Sequence, residues 1–263
     1  MKQDFQNKII WLTGASSGIG EALAYEFCQR GARLILSARR TAELERVRAQ
    51  CVDPTRVKIL PLDAADLENI PEKGKQARAL FGTLDILVNN AGIAQRGRVV
   101  ETEMLALQRV FQVNFFGAVA LTKAVLPEML ERRAGHIVVV SSLTGKLPVP
   151  KHAAYCASKH ALQGYFESLR AEVARQGVKV TLLLPGFVQS EISKNSLDER
   201  GNPRGKAFAV RRAMRADVAA RKMANAIARG KEQYEFGGIE RFAVPLYAFT
   251  PRLYSYAVKR IKT

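Results

Sequence analysis

Tyr155 and Lys159 stand four residues apart, and Ser142 lies thirteen residues before the tyrosine. On a helix, i and i+4 share a face, so a phenol and an ammonium would project together. A free phenol titrates near pH 10 and must drop two to three units, roughly 3–4 kcal/mol, to act as a base near neutrality. One ammonium about 4 Å away, at an effective dielectric of about 20, supplies roughly 4 kcal/mol. A hydroxyl able to meet the pair completes a set that can exchange hydride and proton with a carbonyl. The chemistry implied is proton exchange with a carbonyl or alcohol, coupled to hydride transfer. Ser141 is the nearest rival to Ser142 for the serine role.

A hydride needs a carrier, and the stretch Thr13-Gly14-Ala15-Ser16-Ser17-Gly18-Ile19-Gly20 suits one. It lies where a strand-like run becomes a helix-like run. Glycines there allow a tight turn and close approach of backbone to phosphate, and a helix N-terminus adds free N–H groups. At the end of the second strand-like run, an acid would hold a free ribose 2′-hydroxyl. Here the chain reads Leu36-Ser37-Ala38-Arg39-Arg40. A guanidinium pairs bidentately with a 2′-phosphate, whereas a carboxylate repels it. NADP(H) is therefore expected over NAD(H), with Arg39 as the main contact, Arg40 assisting, and Ser16 or Ser37 adding hydrogen bonds.

These residues need elements to position them. Apolar runs at Lys8–Thr13, Leu34–Ala38, Val57–Leu62, Asp85–Asn89, Ile137–Val140 and Val178–Leu184 lack polar alternation, as strands covered on both faces do. A further strand is expected near Gln233–Phe236. Helical patterns at Gly18–Gln29 and at about 70–81, 104–131, 153–175 and 216–229 intervene, and Thr41 is a candidate cap for another. The alternation predicts an α/β fold: a Rossmann-like doubly wound parallel sheet of about seven strands with helices on both faces. No linker or repeat divides the 263 residues, so one domain is expected. The polar stretch within about 190–215 is a candidate substrate lid. The helix beginning at Met104 is apolar nearly all round and wants cover on several sides.

Composition narrows the alternatives. Three isolated cysteines offer no disulfide framework or metal spacing, and no metal site is expected. The start of the chain shows no signal-peptide pattern and no segment reads as an unbroken membrane span, so a cytoplasmic location is expected. The net charge is +17, and residues 193–263 hold 16 Lys/Arg against 6 Asp/Glu. No stacking or helix-turn-helix signature accompanies the charge, so no specific nucleic-acid partner is expected. The basic aromatic segment from about 238 to 263 could instead meet a lipid surface peripherally. His136 and His160 read as structural, His152 as an incidental residue at a helix start, and Cys156 as a packing residue.

Taken together, the chain resembles the short-chain dehydrogenase/reductase family in its compact single-domain branch. The likeness rests on TGASSGIG at 13–20, NNAG at 89–92, Asn114 in the long middle helix, Ser142 ahead of YCASK, and Tyr155 with Lys159. It covers residues 8–192 closely and is loose thereafter. The resemblance implies that Tyr155 is the acid/base, that Lys159 lowers its pKa and touches the nicotinamide ribose, that Ser142 steadies the substrate oxygen, and that Asn114 holds a proton-relay water. It further implies cofactor contacts from Gly14, Ser16, Ser17, Gly18, Ile19 and Gly20 and from Asn90, Ala91 and Gly92. Asp63 would lie beside the adenine, and Pro185, Gly186, Val188 and Ser190 on the nicotinamide side, with Ser190 replacing a threonine; the helix beginning at Met104 and the helix of Tyr155 would form the subunit interface of a homodimer or homotetramer.

The expected activity is NADP(H)-dependent interconversion of a secondary alcohol and a ketone or aldehyde. Ile93, Leu143, Val149, Pro150, Phe187 and Ile192 would form an apolar pocket, so a small hydrophobic substrate is expected. The rival reading is an NADPH-binding regulatory or sensor module without turnover.

Overall fold

The structure, a computed structural model, describes residues 4–205 and 213–260. Its spine is a seven-stranded, wholly parallel sheet in the order β3-β2-β1-β4-β5-β6-β7. The strands are β1 Ile9–Thr13, β2 Arg33–Ser37, β3 Val57–Ile59, β4 Ile86–Asn89, β5 Gly135–Val140, β6 Val178–Pro185 and β7 Gln233–Phe236. The helices are α1 Gly18–Gln29, α2 Thr41–Gln50, α3 Ile70–Phe81, α4 Met104–Phe111, α5 Gly117–Glu131, α6 Ala153–Val173, α7 Ala216–Ala228, α8 Ala243–Phe249 and α9 Pro251–Val258.

Every residue of β1 is buried, because its two faces feed two cores. Ile10 and Leu12 pack with Leu23, Phe27 and Met223 from α1 and α7. Trp11 faces the other way, with Ala77, Leu121 and Phe166 from α3, α5 and α6. This two-sided cover is why the strands read as unbroken apolar runs. Strand order reverses between β1 and β4, and in such sheets a crevice opens beyond the C-terminal strand ends at that point. Thr13, Asn89 and Val140 end their strands on that edge.

Several boundaries differ from expectation. β3 stops at Ile59, although Leu60 and Leu62 still donate to Leu36 and Ala38 carbonyls. Thr41 is the first residue of α2 and does not precede it; Arg40 holds the cap position without a side-chain cap bond. The helix over Met104–Glu131 is interrupted by a π-helical turn at Gln112–Phe116. Contrary to the reading of no spanning segment, Met104–Glu131 is long and apolar enough, at mean hydropathy 1.4, to cross a membrane by length and composition alone. In the fold it lies on the sheet, with Leu121, Val125 and Met129 in the core. Of the expected lid, residues 206–212 lie outside the described residues, as do residues 261–263 of the C-terminal segment.

Candidate active site

The glycine turn joins β1 to α1, and its glycines are there for shape. Gly14 and Gly18 take φ of +66° and +59°, which L side chains rarely adopt. A Cβ on Gly20 would sit 2.1 Å from the Gly14 carbonyl oxygen, so α1 starts against the turn only because position 20 has no side chain. Asn90 fixes the turn: its Nδ2 donates to the Thr13 and Gly14 carbonyls, while the Thr13 hydroxyl accepts from the Asn90 and Ala91 N–H groups. Ser17 precedes α1 without capping it by its side chain. The cradle fits a dinucleotide phosphate: Cβ atoms would fill it, and the first turn of α1 faces it.

Beside the turn lies a cleft of about 370 Å³ whose walls include Ser17, Gly18, Arg40, Ser190 and Glu191. Arg40 donates to the Ser16 hydroxyl at 3.3 Å and faces Glu191 at 3.6 Å. Arg39 lies exposed. Arg40 is exposed as well, but of the two it is the one that turns toward Ser16, since successive residues of extended backbone point to opposite sides. Arg46, also on the cleft, is held by Glu21 at 2.7 and 2.9 Å and by Glu43 at 2.9 Å. Ser37 does not join the cleft: it is fully buried, donating to the Leu60 carbonyl and accepting from Trp11 Nε1. Asp63 is exposed after β3, with Oδ1 accepting from the Ala65 N–H.

Beyond β5 the reactive groups converge. Ser142 starts a short turn, accepts from the Thr144 N–H at 3.2 Å, and lies near enough to the Tyr155 hydroxyl to favour its ionised form. Its rival Ser141 is engaged elsewhere, donating to the Lys159 carbonyl and accepting from Gln163. Lys159 is 4% exposed; its Nζ donates to the Val140 carbonyl at 2.9 Å and lies 5.7 Å from the Tyr155 ring centre. Asn114 sits in the π turn, a device frequent at functional sites. Its Oδ1 accepts from the Ile93 N–H, and its Nδ2 donates to the Ile93 carbonyl and the Ser158 hydroxyl. Ser158 in turn donates to the Tyr155 carbonyl. A Cβ on Gly92 would lie 3.3 Å from Asn114 Oδ1 and 3.6 Å from Lys159 Nζ, so the glycine keeps a gap open between them.

Burial pushes the Tyr155 phenol up to about 12, with Ser142 opposing it. Burial likewise pushes Lys159 down to about 8. Burial is the largest influence on the phenol and favours its protonated form.

The nicotinamide-side turn follows β6. Ser142 Oγ donates to the Pro185 carbonyl at 3.5 Å, and the Gly186 N–H donates to the Phe236 carbonyl. Val188 bridges to Met214, and a Cβ on Gly18 would touch Ser190 Cβ at 2.9 Å, so this segment closes on the glycine turn. The described part of the lid is docked: Leu197 pairs with Ala94 and Arg96 backbone and packs with Val110 and Ala154. Phe187 and Ile192 are exposed, and Ile93, Val149 and Pro150 half-buried. Leu143, expected in the pocket, is 3% exposed and belongs to the core beneath. His152 contacts the Gln95 carbonyl at 3.1 Å, and burial lowers its pKa. One residue escaped the sequence reading. Glu240 Oε1 accepts from the Phe187 and Gly238 N–H groups, both at 3.0 Å, bracing the turn from below. Its only sequence signal is an acid after Gly237-Gly238 in a basic stretch.

A parallel sheet with a glycine cradle at its crossover and a Ser–Tyr–Lys cluster beyond the next strands defines a dinucleotide-binding α/β oxidoreductase fold. The profile of the family described as short chain dehydrogenase matches residues 8–201. The chain belongs to that family. It is 47% identical over 213 residues to the dehydrogenase/reductase SDR family protein 7-like of Drosophila melanogaster, a match covering 78% of this chain and 65% of that protein. The chain thus spans under two thirds of the length of that relative. Among solved structures, a short-chain dehydrogenase from Streptomyces avermitilis is 31% identical with a TM-score of 0.83, covering 95% of this chain and 96% of that one. A short-chain dehydrogenase/reductase from Burkholderia phymatum, in complex with NAD, is 26% identical with a TM-score of 0.83 and the same coverage.

Proposed function

We propose that the chain interconverts a secondary alcohol and a ketone or aldehyde of hydrophobic character, using NADP(H), with Tyr155 as acid/base. The observation that carries this reading is the Ser142–Tyr155 hydroxyl pair beside buried Lys159, across the sheet edge from the glycine cradle. Gly14, Gly18 and Gly20 with the start of α1 would hold the pyrophosphate, Ser16 and Arg40 the 2′-phosphate, Asp63 the adenine side, and Pro185, Gly186, Val188 and Ser190 the nicotinamide side. When bound, the cofactor supplies or accepts the hydride.

The protein's part is to bind and to move a proton. Ser142 donates to the carbonyl oxygen and fixes it beside the phenol. Tyr155, kept protonated by burial, gives its proton to that oxygen during reduction. The phenolate left behind is stabilised by Lys159. A water in the gap beside Gly92 would reach Asn114 Oδ1 and Lys159 Nζ, and protons return to Tyr155 along that side. Phosphate selection rests on Arg40, which lacks the tight carboxylate partners that hold Arg46. Exposed Met104, Leu105 and Phe116 on α4 and the π turn support a homo-oligomer through that face.

The test is a panel of ketones and aldehydes with NADPH or NADH, followed by nicotinamide absorbance. Turnover of apolar carbonyls with NADPH preferred is expected. Binding of NADPH without turnover of any carbonyl would favour the sensor reading, and a preference for NADH would refute the role given to Arg40.

A further inference from the structure

We propose that the C-terminal segment from Ile239 to Arg260 is a docking surface for an anionic lipid bilayer, placed at the mouth of the substrate site. The proposal concerns a surface the chemistry above does not use, and it stands or falls without the assignment of Tyr155.

The segment has two faces. Inward, Val244 and Tyr254 enter the core, and Tyr247 packs edge-on to Tyr254 at 5.0 Å. Glu240 holds the Phe187 N–H, and the Tyr254 hydroxyl donates to the Pro148 carbonyl at 3.0 Å. The segment is thereby fixed to both loops that flank the reactive cluster: the turn after β6 and the loop leading into α6. Outward, Ile239, Phe242, Leu246, Phe249, Leu253 and Tyr256 are exposed, Ile239 by 81% and Phe249 by 85%. Phe242, Leu246 and Phe249 follow one another at the spacing of a helix face, and Leu253 and Tyr256 do so on α9. Burial on folding does not explain such side chains, and a contiguous run of them on a charged protein marks an interaction surface.

Charge selects the partner. Arg241, Arg252, Lys259 and Arg260 are all exposed among these apolar groups, and Arg260 lies 3.9 Å over the Tyr256 ring. The segment's one acid, Glu240, has its carboxylate turned into the Phe187 turn. An isologous contact with a second copy would set these four cations against the same four, with no outward carboxylate to pair them. Aliphatic groups ringed by cations match acyl chains below anionic headgroups. Phe187, on the turn that Glu240 braces, and Ile192 after it are exposed too and extend the apolar character of this side.

Sedimentation of the full chain with vesicles tests this without any substrate. Wild type should pellet with phosphatidylcholine vesicles that contain phosphatidylglycerol, not with phosphatidylcholine alone, and should be released by high salt. Each cation near the surface is worth about fivefold in partition, so Arg252→Glu with Arg260→Glu should lower it more than about twentyfold. Phe249→Ser with Leu253→Ser should lose binding while keeping its circular dichroism and cofactor affinity. Three results overturn the proposal: no binding to mixed vesicles, equal binding by the patch variants, or a patch that instead sets the solution mass, with the double serine variant reduced to a smaller oligomer.

Discussion

Replacing Lys159 by methionine isolates the electrostatic part of the mechanism. Lys159 Nζ stands 5.7 Å from the Tyr155 ring centre. Taking that separation with an effective dielectric of about 20, an ammonium stabilises the phenolate by about 3 kcal/mol, or about two pKa units. Burial alone holds the phenol near 12. Below about pH 8, where Lys159 carries its charge, loss of the cation should lower the phenolate fraction, and with it the rate of alcohol oxidation, about a hundredfold. The assay is the pH profile of kcat/KM for oxidation of an alcohol that wild type accepts. Folding gives the control. The folded pKa of Lys159 lies near 8 and its unfolded value near 10.5, so the folded state binds fewer protons between them. Burying the charge therefore costs stability in full below about pH 8, and the cost fades as pH rises toward 10.5. Lys159→Met should melt no lower than wild type at pH 7, despite the donor lost to the Val140 carbonyl. An oxidation rate at pH 7 that is unchanged, or a variant that has merely unfolded, would refute the reasoning.

Four further outcomes are expected. Gly20→Ala drives a Cβ into the Gly14 carbonyl, which should cost about 1–3 kcal/mol in denaturant melts and weaken NADPH binding in fluorescence titration. Arg40→Ala should lower the NADPH-to-NADH ratio of kcat/KM more than Arg39→Ala does, since only Arg40 reaches Ser16. Asn114→Leu strands the Ile93 N–H and carbonyl together, a loss of about 3 kcal/mol by chemical denaturation. Burial, helped by the charge of Lys179, pushes His136 down to about 4, so its neutral ring stabilises the fold above about pH 6.5. As pH falls from 6.5 to 4 that stability, about 3 kcal/mol, is lost, and His136→Gln should flatten the acid limb of the pH–stability curve.

The parallel sheet was legible because β1, β5 and β6 are covered on both faces and show it as unbroken apolar runs. β3 is an edge strand, and its pairing ends before its apolar pattern does. That Tyr155 and Lys159 would lie together was legible because spacing along one helix fixes which side chains share a face, whereas the engagement of Ser141 by Lys159 and Gln163 was not. Other details depend on tertiary context. Which of two adjacent arginines turns toward Ser16 follows from the local backbone, which composition does not encode. Ser37 looked available and is consumed by Trp11 and Leu60. The π turn around Asn114 differs from an α-helix by one residue of register and leaves no signature in residue type. The sign of the Tyr155 shift needed its burial, a quantity that exists only in the folded chain. Glu240 bears on Phe187 across 53 positions.

The most direct measurement is a single turnover of NADPH with a carbonyl substrate by wild type and by Tyr155→Phe, with cofactor affinity recorded for both. One hydroxyl is removed and the packing of the ring is kept. The account requires unchanged NADPH binding and hydride transfer slowed by orders of magnitude; equal transfer rates in the two proteins would contradict it.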